Sequence, residues 1–167
     1  MEIKVKGVVD LRSCLFIVSL FCCTVCFAQE DEKRFIGSFL KNFHYPEELR
    51  SSCIPTMTNL IVQVNKDGTI GDMMLSDSAD PLFRVEFTRM KHQLDSAALK
   101  RIAYNRKLKG QAFLVPVFYL FETEYCPNSL SSSKLGIDTY STYRSIPYNG
   151  LVYALPPVIN LIYRPLH

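Results

Sequence analysis

Leu60-Ile61-Val62-Gln63-Val64-Asn65-Lys66-Asp67-Gly68-Thr69-Ile70-Gly71-Asp72-Met73-Met74-Leu75 reads as a β-hairpin. The first arm is rich in β-branched residues, and Leu60, Val62 and Val64 share one face at period two. Lys66-Asp67-Gly68-Thr69 is turn chemistry, and Asp-Gly suits the two-residue hairpin turn, which needs positive φ. Ile70 to Leu75 returns as the second strand. Outward from the hairpin, Tyr45 to Glu122 reads as strand, turn, strand, helix and last strand.

Downstream, Ser76-Asp77-Ser78-Ala79-Asp80-Pro81 is a loop able to cap a helix with Pro81 at its first position. Leu82 to Lys91 mixes apolar and charged residues without a decisive period. Leu94 to Ile102 is a firmer helix. Asp95 is a good N-cap, Ala97, Ala98 and Leu99 are strong helix formers, and Leu94, Ala98 and Ile102 form its buried line. Lys107, Lys109 and Gly110 close it. In the last strand, Ala112 to Glu122, residues Phe113, Val115, Val117, Tyr119 and Phe121 share one face. Leu114, Pro116, Phe118, Leu120 and Glu122 share the other. Pro116 cannot donate to a ladder, which predicts a sheet edge.

Upstream, Glu30-Asp31-Glu32 is an acidic helix start, favourable at the positive end of the helix dipole. Phe35, Ile36, Phe39, Leu40 and Phe43 make the apolar stripe of an amphipathic helix, which Tyr45-Pro46 ends. Packing of that stripe on the domain is favoured over a membrane-surface helix, because few basic residues follow Arg34 and Lys41. Residues 1–28 read as a signal peptide: Lys4, Lys6 and Arg12, an apolar run from Cys14 to Phe27, and Cys26-Phe27-Ala28 before a cut at Gln29. An uncleaved inner-membrane anchor is the alternative, although the run is short for a span.

Cleavage removes 3 of 19 basic and 2 of 16 acidic residues and leaves 139 residues of net charge +2. That charge excludes a nucleic-acid footprint, and the length supports one domain with a core. Four of six cysteines leave with the signal, so Cys53 and Cys126 remain as an exported pair. Cys53 precedes the first strand and Cys126 follows the last. If those strands lie antiparallel side by side, the pair comes within disulfide reach.

Residues 127–167 hold five of nine prolines and five of nine tyrosines. Ser129 and Ser131-Ser132-Ser133 mark a connector. Leu151 to Tyr163 is too apolar for a solvated tail, and Pro156-Pro157 forbids one continuous helix. The segment reads as an irregular arm packed back on the domain, with partner binding as the alternative.

Nothing here points to an enzyme or to a bound cofactor. His44, His92 and His167 have no metal-ligand spacing, and no cysteine pair resembles a zinc site. There is no G-x-S-x-G, phosphate loop or dinucleotide glycine pattern. Asp67 and Asp72 flank the hairpin, where turn chemistry and solvent exposure explain them better than acid–base work.

Phe39-Leu40-Lys41-Asn42-Phe43-His44-Tyr45-Pro46, then Val62 to Ile70, then Leu94-Asp95-Ser96-Ala97-Ala98-Leu99, then Val115-Pro116-Val117, together resemble the TonB C-terminal domain family. The likeness is to its short exported versions and covers Phe35 to Glu122. It implies an α+β fold in β-β-α-β order, with a three-stranded antiparallel sheet, an N-terminal helix, and the arm from 127 outside it. It further implies a periplasmic module that pairs a strand edge with an envelope partner, such as an outer-membrane receptor in TonB-dependent transport. In the strand order second–first–last, the last strand has a free edge. This places the partner edge at Ala112–Leu120, with partner binding on Phe113, Val115, Val117, Tyr119 and Phe121. The spacer of full TonB proteins has no room in Gln29 to Asn42, and Tyr104-Asn105-Arg106-Lys107 replaces the family's aromatic-x-Pro-Ala. The second reading is a structural or accessory envelope protein that keeps the fold without receptor binding, its edge closed by Leu151 to Tyr163.

Overall fold

Asn65 to Thr69 form the turn from which the sheet grows. In the computed structural model, which describes residues 29–121, 126, 141–144 and 146–162, Gly68 N–H donates to the Asn65 carbonyl at 2.9 Å. Asn65 N–H donates to the Thr69 carbonyl, also at 2.9 Å. Gly68 has φ +86°, and Asp67 is not in the left-handed region. The connection is therefore a three-residue loop rather than the expected two-residue Asp-Gly turn. Asp67 instead accepts from Thr69 N–H at 2.9 Å and Thr69 Oγ1 at 2.7 Å, closing a side-chain turn of its own.

Strands β1 (Thr56–Val64) and β2 (Ile70–Leu75) leave this loop antiparallel, with an irregularity in register between Val62 and Val64. Gly71 lies beside it, and a Cβ there would sit 2.9 Å from Asn65 Oδ1. The hairpin continues one step further, since Ser76 N–H donates to the Asn59 carbonyl at 2.8 Å.

Helix α1 covers residues 29–42 and a short α2 covers Glu47–Ser51. Helix α3 spans Pro81–Met90, so the undecided stretch is helical. Asp80 caps it by accepting from Leu82 N–H at 2.8 Å, Pro81 opens it, and Phe83, Phe87 and Met90 are buried at helical spacing. A single 3-10 turn, Lys91–Gln93, leads to α4 (Ser96–Arg106). Asp95 caps α4 through Ala98 N–H at 2.9 Å, and Lys107 ends it at φ +57°. Leu94, Ala98 and Ile102 are buried, as are Phe35, Phe39 and Phe43 of the first stripe. Helix α1 is tied to the start of α4 by Asp95 N–H donating to Ser38 Oγ at 2.9 Å and by Arg101 to Asp31 at 2.7 Å.

Strand β3 (Ala112–Phe121) pairs antiparallel with β1, from Thr56 opposite Tyr119 to Gln63 opposite Ala112. The arm adds β4 (Thr142–Tyr143), β5 (Ile146–Pro147), β6 (Val152–Ala154) and β7 (Val158–Ile162). Both β6 and β7 pair with β3 in parallel, one after the other along its second side. The fold is thus mixed α+β, but the expected three-stranded antiparallel sheet is corrected to a five-stranded mixed one. The reason is apolar surface: Leu155, Val158 and Ile162 join the main core only if the arm lies against β3.

The helices cover the face of β3 that carries Phe113 to Phe121. The small β4–β5 hairpin partly covers the other face, where Tyr143 packs with Ile61 and Ala112. Among the described residues, no helix is long and apolar enough to cross a membrane. The proposed signal segment, residues 1–28, lies outside the described residues, as do Glu122, residues 127–140, Tyr163 and His167.

Candidate functional site

Backbone direction decides which strand edges can take a partner. Ala112 N–H donates to the Leu151 carbonyl at 3.0 Å, and Leu155 N–H to the Leu114 carbonyl at 2.9 Å. Even-numbered residues of β3 therefore turn their peptide groups toward the arm, and at period two Pro116 does the same. Pro116 has nothing to donate there, and the arm breaks at that place: Leu114 pairs with Ala154, Val117 pairs with Val158, and Pro156-Pro157 lies between β6 and β7. In the sequence alone, the proline predicts an edge. Here it marks a gap between two short strands instead.

This overturns the expected free edge on Ala112–Leu120, because both sides of β3 are paired. Phe113, Val115, Val117, Tyr119 and Phe121 are all buried, the most exposed at 5%. They are held in the aromatic and aliphatic core under the helices and have no surface to offer. Phe43 packs on Phe83 at 4.3 Å and on Tyr119 at 5.0 Å between ring centroids, and Tyr45 stacks on Tyr119 at 5.2 Å.

The outer edge has moved to β6 and, further along, β7. By the hydrogen-bond phase along β3, Val158, Asn160 and Ile162 turn their peptide groups inward, while Ile159 and Leu161 turn theirs away from the sheet. No strand lies beyond β7 among the described residues. The side chains of Ile159 and Leu161 are 52% and 51% exposed. Beside this edge lies an open hollow of about 350 Å³, lined by His44, Tyr45, Arg50, Asn160 and Leu161 among others. Sequence reasoning missed Ile159 and Leu161. Their signal was the alternation from Val158 to Ile162, hidden by the prolines just before it.

Tyr119 and Tyr143 are buried near these surfaces, and Tyr45 is half-buried. Tyr45 Oη donates to the Ile54 carbonyl and also meets Thr56 Oγ1 at 3.0 Å. Burial pushes its pKa up to about 12, against an opposing effect of Thr56. Burial likewise raises Tyr119 and Tyr143. The Tyr119 hydroxyl faces Asn160 closely enough to offset part of that rise, but hydrogen-bond geometry is not met, so the group is unsatisfied. The Tyr143 hydroxyl is unsatisfied as well.

Each of these tyrosines has a folded pKa above its unfolded one, so its contribution to stability is fully present below the unfolded pKa of 10.0. It is lost as pH rises, for Tyr45 through about 12. Tyrosinate absorbance should show a late-ionising fraction that appears only as the chain unfolds. Ionisation of every tyrosine near pH 10 with the fold intact would contradict this packing.

Cys53 and Cys126 are joined in a disulfide, with Cα atoms 5.8 Å apart. The pairing of Thr56 with Tyr119 brings their two chain ends together. Asp72 is paired with Lys91 at 3.8 Å on the surface, and Asp67 is used in its turn. Among the described residues, no group of three or more His, Cys, Asp or Glu could hold a metal ion. No protein-family description, curated protein or solved structure matches this chain.

Proposed function

We propose that this protein is an exported, TonB C-terminal-like binding module that receives an extended segment of an envelope partner, such as an outer-membrane receptor, by strand addition. The observation that carries the reading is the outer edge of β7. Ile159 and Leu161 present unpaired-strand geometry and half-exposed apolar side chains beside the hollow at Tyr45 and Asn160. An apolar edge of this kind is a liability unless covered or used. Strand addition uses main-chain hydrogen bonds for affinity and side-chain hollows for selectivity. The disulfide supports export to an oxidising compartment.

The paired second side of β3 favours one other reading, an accessory envelope protein that keeps the fold without receptor binding. Titration with a peptide of the TonB box, the receptor segment that TonB proteins pair with a strand, followed by amide NMR, separates the two. Shifts at Ile159, Leu161 and Tyr45 are expected. Leu161→Pro should weaken binding by roughly tenfold or more, since it removes an outward donor and blocks the added strand. The β3 ladder should survive, because the Leu161 N–H does not point toward it. An absence of shifts would favour the accessory protein.

A further inference from the structure

The opposite edge of the sheet differs in chemistry. Asn59 faces β2, since Ser76 N–H donates to its carbonyl. At period two Ile61 does likewise, so its partner Met74 faces inward and Met73 and Leu75 turn their peptide groups outward. No strand lies beyond β2 among the described residues. Instead, two hollows of about 220 and 460 Å³ follow its edge and share Met73 and Lys91. The smaller reaches Arg84, Tyr143 and Arg144, and the larger reaches His92 and Lys100.

The lining is basic. Arg84, Lys91, Lys100 and Arg144 stand against a single lining carboxylate, Asp72. Asp72 pairs with Lys91 at 3.8 Å, and Asp77 lies 3.6 Å from Arg84 outside the lining. Asp67 is close enough to Lys100 for its carboxyl to feel that charge. Arg84 is further held by the Ser76 and Ala79 carbonyls at 2.9 and 3.0 Å, which fixes its guanidinium in place. Lys100 and Arg144 are exposed at the two ends of the trough.

We infer that the outer edge of β2 is a second docking surface, one that takes an acidic extended segment of another protein. The segment adds as a strand against Met73 and Leu75, displacing Asp72 Oδ1 from the Met73 N–H that donates to it at 2.8 Å, and lays alternate carboxylates along Lys100, Lys91 and Arg144. Backbone pairing supplies the register, and the basic lining selects charge. This surface does not depend on the β7 reading, because the two edges lie on opposite sides of the sheet.

The test uses the mature, disulfide-bonded chain and two short peptides, one of alternating valine and glutamate and one of alternating valine and lysine. The glutamate peptide should bind saturably and shift the amides of Met73, Leu75 and Lys91, with affinity falling as sodium chloride rises. Lys100→Glu with Arg144→Glu should weaken it by roughly tenfold together, while Leu161→Pro leaves it unchanged. Equal binding of the lysine peptide, shifts confined to Ile159 and Leu161, or no saturable binding would each overturn the inference. So would the same shifts appearing on concentration alone, which would make the occupant a second copy of the chain.

Discussion

Removal of the arm after Cys126 is expected to unfold the protein or leave it without a cooperative transition. Leu155, Val158 and Ile162 are 3%, 0% and 7% exposed and belong to the main core. Burying three such side chains is worth about 5–8 kcal/mol, an upper figure because unfolded chains already bury some surface. A domain of this size has about 5–15 kcal/mol in all. Truncation would also strip the second side of β3 of its hydrogen-bond partners and leave a long apolar edge open to aggregation. Thermal unfolding followed by circular dichroism measures this directly. Leu155→Ala provides a graded version at about 2–5 kcal/mol. A truncated chain with an unchanged melting temperature would show that the arm is an appendage and that the β3 edge can be opened.

Replacement of Cys53 and Cys126 by alanine should lower stability by about 4 kcal/mol on the chain-entropy account. The two residues are separated by 73 positions, so the bond closes most of the domain into one loop. The corresponding fall in melting temperature is roughly 10–20 °C. The secondary structure should survive at low temperature, because the β1–β3 ladder and the helical core do not depend on the bond. Non-reducing peptide mapping of protein taken from its native host should show Cys53 and Cys126 linked, and, if the proposed export holds, an N-terminus at Gln29. Two free thiols, or a reduced protein as stable as the oxidised one, would remove the disulfide from the account of stability.

Much of the fold is legible in the sequence. Period-two alternation placed β1 and β3, the Asp-Gly turn placed β2 as the returning arm, and the Phe35, Phe39 and Phe43 stripe placed α1, because burial of one face leaves that periodicity in the sequence. Asp95 and Asp80 with Pro81 announced helix starts through local capping chemistry. Helix α3 itself was obscured because its exposed face carries Leu82 and Val85, at 40% and 70% exposure, which blurs the apolar stripe.

What the chain could not announce was the neighbour on each strand edge. Periodicity records which side chains are buried, and it read Phe113 to Phe121 correctly as one face. It does not record where the peptide groups of that strand find partners. Those partners come from residues some forty positions later in sequence, across a proline-rich segment whose own alternation is cut by Pro156-Pro157. Local sequence therefore determined the strands, the helices and their buried faces. Only the tertiary structure decided that β3 is internal, that Pro116 lies opposite a break, and that, among the described residues, the free edges belong to β6, β7 and β2. Strand order is a long-range choice settled by total buried surface, and no short stretch of residues carries it.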